Sequence, residues 1–440
     1  MAILKTPDRA TDAAARAAVA AHLEDARRYT ADLVAPLGDA DLTRQISPLQ
    51  SPLVWDLAHI AHFEELWLVR EVGGGGPTDA RFDDVYDASA HPRNERSELD
   101  LLEPRDARSY AAEVRRRALE TIAAIDLGGH DPLLRDGFVA GLVVQHELQH
   151  AETMAQTLQL ATDLRYRRLE QHRTGGIATP RIGEVMVEQG PFLMGATNES
   201  WAYDNEGRAH TVELEPFWID AAPVTNRDYA AFVAAGGYTD RSLWSDAGWT
   251  WLRGEDAHAP LYWVQGSAGW IRIRLGWLEP LPLDEPVQHV SFHEAEAYAR
   301  AHGRRLPTEA EWEKAATWSR TGAKLRNPWG GARAPGRANV GRVRFAPAPV
   351  GTYRDGVSPS GCHQMIGDVW EWTATEFRGY PGFEAFPYRE YSEVFFGGGY
   401  RVLRGGSWAT HPLVARATFR NWDHPHRRQI FAGFRTARDA

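Results

Sequence analysis

Cysteine is nearly absent from this 440-residue chain, Cys362 being the only one. That excludes an intramolecular disulfide framework and any cysteine-rich zinc or iron–sulfur site, and it fits a reducing compartment. Lysine is almost as scarce: Lys5, Lys314 and Lys324 stand alone, so arginine supplies nearly all of the 49 basic residues. Such a bias reflects mainly base composition, with a small gain for anion recognition. Positive charge is not in excess. The 59 acidic residues leave a formal charge of −10, which argues against a dedicated nucleic-acid binder. No stretch approaches the roughly 18 apolar residues of a spanning helix. The Ala-rich N-terminus, MAILKTPDRATDAAARAAVAAHLEDARR, is interrupted by charge too often for a signal sequence. The expectation is a cytoplasmic, monomeric protein with neither a membrane nor a nucleic-acid partner.

Tryptophan, by contrast, is abundant and unevenly placed. Of 17, only Trp55 and Trp67 precede residue 165. Glycine is skewed the same way. The length suggests two or three domains at roughly 150 residues each, and the change of texture divides the chain. Residues 1–165 read as long amphipathic helices, 166–182 as a charged and then Gly/Thr/Pro-rich linker, and 183–440 as short strands, turns and loops. The fold class is therefore α plus α+β.

Four helices are expected in the first part. The first covers about 11–34, with Val19, Leu23, Ala26 and Leu33 at helical spacing. The second opens at Ser51-Pro52 and runs to the Gly73–Gly76 string; the third covers about 106–125; the fourth opens at Asp131-Pro132 and runs to about 161. With one long crossover over 73–105 they form a four-helix bundle. A connection that long is usually functional or disordered. In the second part, strands are expected at 185–194 and 211–219 and helices at 226–234 and 292–302. A further helix starts at Thr308, where Glu311 completes a capping box.

The metal candidates lie on the helices. His146-Glu147-Leu148-Gln149-His150 is an H-E-x-x-H string, whose two histidines share one helix face. His59 sits among Val54, Leu57, Ala58 and Ala61 on the second helix, and a histidine facing a bundle interior needs a partner. His62, one turn on, competes with it as third ligand. Three imidazoles leave a divalent ion with open positions, the logic of non-haem iron oxygen chemistry, where two histidines and a carboxylate are commoner. Spacing alone does not choose iron over zinc.

The second helix (SPLVWDLAHI) and the fourth (HELQHAETM) resemble the DinB-like domain of ergothioneine-biosynthesis sulfoxide synthases. GPFLMGA, PVTNRDY, EPVQHVSFHEAEAYA, GRRLPTEAEWEKAA, GDVWEWT, YRVLRGGSWAT and FRNWDHPHRRQIFAGFRTARD resemble those enzymes' formylglycine-generating-enzyme-like, C-type-lectin-like domain. The resemblance covers nearly the whole chain. It implies Fe(II) held by His59, His146 and His150, which decides against His62. It implies a reaction in which O2, hercynine and a thiol give a C–S bond at the imidazole C2 and a sulfoxide. The thiol of the actinobacterial type is γ-glutamylcysteine, bound by two arginines three apart, here Arg93 and Arg96. Two carboxylates on that substrate suit guanidinium groups. The resemblance also implies Tyr388 as the catalytic tyrosine, Gln149, Tyr391, Asn421 and Trp422 as hercynine ligands, and Asp423 at the thiol substrate. A trimethylammonium group has no N–H to donate, so aromatic faces must hold it.

Trp312, Trp370 and Trp372 lie in family-wide structural stretches and receive no chemical role, and His289, His293, His424 and His426 read as structural or surface residues. The chain from Tyr391 to the R-V-L-R-G-G-S-W stretch is short, and Gly397–Gly399 tighten it. Three other classes compete, one of them a non-catalytic lectin-like binding module with a degenerate bundle. A zinc metalloprotease would use Glu147 as base beside His146 and His150. A formylglycine-generating enzyme needs a cysteine pair, which one cysteine excludes. Selenoneine- or ovothiol-type synthases are the alternatives closest in chemistry.

Overall fold

The computed structural model describes residues 9–167, 183–197, 199–319, 321–331 and 334–440. Most of the expected linker, 168–182, lies outside the described residues. The chain divides into two compact units: Met1–Ala161 with Asn198–Trp201, and Thr162–Thr197 with Ala202–Ala440.

The first unit is a helical bundle. Its helices are α1 (Arg9–Val34), α2 (Asp39–Thr43), α3 (Leu53–Glu64), α4 (Phe82–Val85), α5 (Pro104–Ala124) and α6 (Phe138–Leu160). The four long ones pack in a ring, α1 against α6 and α5, and α3 against α5 and α6. Val19, Leu23, Ala26 and Leu33 are all buried, as helical spacing requires of the core face of α1. All twelve residues of α3 are buried, the polar Asp56, His59, His62 and Glu64 among them. It continues through Val72 as a π-helix and stops at the glycine string.

Two helix starts differ from expectation. Ser51 does not cap α3, because its hydroxyl accepts a hydrogen bond from Arg96 Nη1 at 2.8 Å, and Pro52 takes the cap position instead. Asp131 accepts from Leu133 N in a turn, and α6 begins only at Phe138, after a left-handed Gly137. The crossover carries structure of its own, α4 and a 3₁₀ turn over Arg93–Glu98. Phe82 and Tyr86 are buried from it.

Four charged side chains bind the ring together. Arg27 of α1 reaches Glu64 of α3 and Glu147 of α6, each at 2.8 Å. Arg115 of α5 reaches the same two carboxylates at 2.6 and 3.2 Å. Each helix contributes one member, so every charge is offset where it is desolvated. Trp201 completes the unit. Its indole donates to Asp136 O, its carbonyl accepts from Gln145, and its ring lies over Gly141 of α6. A Cβ at Gly141 would come within 2.3 Å of that ring.

The second unit is α+β, with small sheets. Strands β1 (Glu184–Val187), β4 (Phe217–Asp220) and β12 (Ala437–Asp439) form one sheet, and β2 (Gly190–Met194) pairs with β3 (His210–Leu214). The two continuous strands expected from sequence are therefore each split in two. Strands β5 (Trp263–Gly266), β6 (Gly269–Arg274) and β7 (Trp277–Pro280) form an antiparallel sheet. The last sheet has the order β10 (Asn421–Asp423), β9 (Arg401–Arg404), β8 (Trp370–Glu376), β11 (Ala432–Gly433). The helices are α7 (Asn226–Ala234), α8 (Asp246–Glu255), α9 (Phe292–Ala301) and α10 (Glu309–Thr317). Thr308 caps α10 through Glu311 N, as its capping box predicts. Trp312 and Trp372 are fully buried and their indoles donate to Glu371 and Val290 O, which accounts for them as core. Among the described residues no helix is long and apolar enough to cross a membrane.

Candidate active site

Among the described residues, His59, His146 and His150 form the one histidine, cysteine or carboxylate group close enough to share an ion, with ligand atoms within 4.8 Å of one another. α3 supplies the first and α6 the other two, one turn apart. His59 Nδ1 lies 2.8 Å from Tyr86 O, and His150 Nδ1 lies 2.9 Å from Asp56 Oδ1. A carbonyl and a carboxylate only accept, so both Nδ1 atoms carry the proton and both Nε2 atoms present a lone pair. His59 Nε2 and His146 Nε2 are 3.2 Å apart. That is close to the roughly 3 Å between two nitrogens bound at right angles to one ion at about 2.1 Å. Burial, and then the neighbouring His150, hold His59 and His146 well below the ordinary histidine range, so both are neutral donors. The donor set fits a divalent transition metal.

Aromatic rings fix the imidazoles. Trp55 stacks on His59 with centroids 4.5 Å apart, and Phe63 stacks on His146 at 3.7 Å. The Trp55 indole is itself anchored on Val85 O, and the Arg96 guanidinium lies over its ring, 3.7 Å from the centroid. His62 faces elsewhere: its Nε2 is 3.7 Å from Asp83 Oδ1 in the crossover.

Glu147 has no freedom to act as a base. It sits about 100° around α6 from His146, and both its oxygens are held by Arg27 and Arg115. The H-E-x-x-H string therefore splits, its histidines facing the metal position and its glutamate the ion-pair ring. This removes the zinc-protease reading.

Arg93 and Arg96 stand on the 3₁₀ turn of the crossover, Arg93 exposed and Arg96 buried. Burial lowers Arg96 to about 10, with Asp56 opposing the shift. Gln149, on α6 between the two histidines, is half-buried and donates to Gln145 O at 3.2 Å.

In the second unit, Tyr388, Tyr391 and Trp422 form a chain of edge-to-face rings at 6.4 and 5.8 Å. Trp422 stacks on Phe377 at 4.1 Å, and Tyr391 on Tyr203 at 4.0 Å. Asn421 and Asp423 flank Trp422 on β10, and Asp423 Oδ1 accepts from His424 N. Burial, reinforced by Tyr203 and Asp204, raises the Tyr388 hydroxyl far above its usual range and keeps it protonated. Gly397 and Gly399 take left-handed φ of 73° and 77° in the short return to β9, a conformation that costs glycine nothing.

Two supports were not read from the sequence. Asp204 accepts from Phe386 N at 3.2 Å and from Ser392 Oγ at 2.7 Å, pinning the segment that carries both tyrosines at each end. No local pattern signals this, since its partners lie far along the chain. Asp56 did leave a signal, a carboxylate inside the otherwise apolar run Leu53–Ala58, which burial forbids without a partner.

Comparison with known proteins agrees with both halves. Residues 22–154 match the DinB superfamily and 176–440 match the sulfatase-modifying factor enzyme 1-like domain. Hercynine oxygenase of Mycobacterium tuberculosis is 48% identical over 427 residues, which are 96% of this chain and 98% of that protein. Hercynine oxygenase of Mycolicibacterium thermoresistibile is 47% identical over 443 residues, covering 96% and 95%. The chain belongs to the hercynine oxygenase family. It is thus an enzyme of an oxygenase family, built from a DinB-type helical part and a sulfatase-modifying-factor-like part. Formylglycine-generating enzyme of Streptomyces coelicolor is 36% identical over 300 residues, covering 60% of this chain and 93% of that protein. In this hercynine oxygenase family member the lone Cys362 is buried and its thiol is pushed up to about 11, away from thiolate chemistry.

Proposed function

We propose that this protein is an Fe(II)-dependent sulfoxide synthase of ergothioneine biosynthesis, joining γ-glutamylcysteine to the imidazole C2 of hercynine with O2. The observation that carries it is the three-histidine cluster, with ligand atoms within 4.8 Å of one another and the Nδ1 atoms of His59 and His150 anchored on Tyr86 O and Asp56, in a chain similar over 96% of its length to a hercynine oxygenase. His59, His146 and His150 would hold the iron, which when bound supplies O2 reduction and thiolate ligation. The balance is complete: the thiol S–H and the imidazole C–H are lost, the C–S bond forms, and O2 yields the sulfoxide oxygen and one water.

The chain's residues have separate tasks in this reading. Arg93 and Arg96 bind the carboxylates of γ-glutamylcysteine, and Asp423 its ammonium group. Tyr391 and Trp422 offer aromatic faces to the trimethylammonium group of hercynine, with Gln149 and Asn421 as its polar partners. Tyr388, protonated at neutral pH, delivers a proton from its hydroxyl during oxygen reduction. The test is anaerobic reconstitution with Fe(II), followed by hercynine, γ-glutamylcysteine and O2, with the product mass read out. The expected product is the sulfoxide adduct. Its absence from iron-loaded protein would refute the reading.

A further inference from the structure

Three neutral imidazoles leave a bound divalent ion with its full double charge. Most buried carboxylates nearby on α3 and α6 are committed elsewhere: Glu64 and Glu147 to Arg27 and Arg115, and Glu65 to Arg117. Asp56 differs. It is 1% exposed, its Oδ1 accepts the His150 Nδ1 proton at 2.9 Å, and its Oδ2 is buried with no hydrogen-bond partner. A carboxylate so deep with an unused oxygen is costly unless positive charge lies close. Arg96 acts on it only from a distance, since its three hydrogen bonds go to His91 O, Ser51 Oγ and Ala88 O.

We propose that Asp56 is a positioning and charge-compensating residue for the metal. It fixes the orientation of His150, makes that imidazole a stronger donor, and offsets one of the ion's two positive charges. The inference rests on the reading of the triad as a metal site. His59 provides an internal contrast, because its Nδ1 is oriented by the uncharged Tyr86 carbonyl. Asp56 and His59 are three residues apart on α3, while His150 is on α6. One helix therefore carries a ligand and also the support of a ligand on its neighbour, which ties the register of the two helices to the ion.

Asp56→Asn keeps an acceptor oxygen and removes the charge; Asp56→Ala removes both. The metal-free full-length chain is titrated with Co(II), binding being followed by visible absorption, with thermal melts as a fold control. Affinity should fall about tenfold in the Asn variant and towards a hundredfold in the Ala variant. With iron bound, the Fe(III)/Fe(II) potential of the Asn variant should rise, because loss of a nearby negative charge disfavours the more charged ion. A folded Asn variant with natural Co(II) affinity and natural potential overturns the proposal. A natural chain that binds no Co(II) instead overturns the metal reading of the triad, so the two failures are distinct.

Discussion

Arg93 and Arg96 are three residues apart and have unlike surroundings. Arg93 is exposed and reaches Leu49 O and Gln50 Oε1, each at 3.3 Å. Arg96 is buried, makes three hydrogen bonds and covers the Trp55 ring that stacks on His59. The two alanine variants should therefore separate. Arg93→Ala should raise the KM for γ-glutamylcysteine much more than that for hercynine and leave the melting temperature unchanged. Arg96→Ala should do the same and also lower stability by about 3 kcal/mol, from lost hydrogen bonds and the cation–π contact. Scanning calorimetry beside steady-state kinetics checks both, and equal melting temperatures would refute the structural half. Spacing shows that the pair can meet two carboxylates. It cannot show that one member doubles as a wall of the metal site, because that depends on Ser51, Ala88 and His91 arriving from other segments.

Elements differ in how far their sequence determines them. The apolar stripe of α1 and the capping box of α10 are local, and both are found where periodicity and spacing place them. Helix starts are less local, since a capping hydroxyl can be diverted, as Ser51 is by Arg96. Helix α8 and the β5–β6–β7 sheet gave no usable pattern. Tryptophans and glycines are mixed through these stretches, and strands of four to six residues are stabilised by pairing with each other rather than by their own periodicity. His146 and His150 were legible because i, i+4 spacing on one helix is a geometric fact; His59 was chosen over His62 through the family resemblance, since spacing left both open, and the crossover is what turns His62 towards Asp83. Between elements, the four-way ion-pair ring carries a prediction. Arg115→Ala should cost about 3 kcal/mol, because it leaves Arg27 alone to offset the buried charges of Glu64 and Glu147. Denaturant unfolding measures it, and a loss below about 1 kcal/mol, the range of an exposed pair, would show the ring to be dispensable.

For the whole molecule, buried neutral histidines set an acid limit. Burial lowers His289 to about 3 and His293 to about 4; Arg272 and Arg428 add to the first shift, and His426 and Arg401 to the second. The unfolded chain protonates both near their ordinary value of about 6.5, while the folded chain does not. Between those values the unfolded state binds more protons, so stability rises with pH. The contribution is complete above about pH 6.5 and declines as pH falls towards 4, by about 1.4 kcal/mol per unit for each histidine. The metal-free protein should accordingly melt at a lower temperature at pH 5 than at pH 7, and a flat profile between them would contradict the burial assigned to His289 and His293.

Trp201 bears on the order in which the chain can be built. It belongs to the helical unit, yet it is synthesised well after Leu160, the last residue of α6, and after the residues of β1 and β2. N-terminal domains ordinarily fold first during synthesis. Here the bundle can gather its four helices early, but the indole that covers Gly141 arrives late. Until it does, the slot stays open to solvent, so translation past residue 201 is a condition for finishing the part of the protein that was begun first.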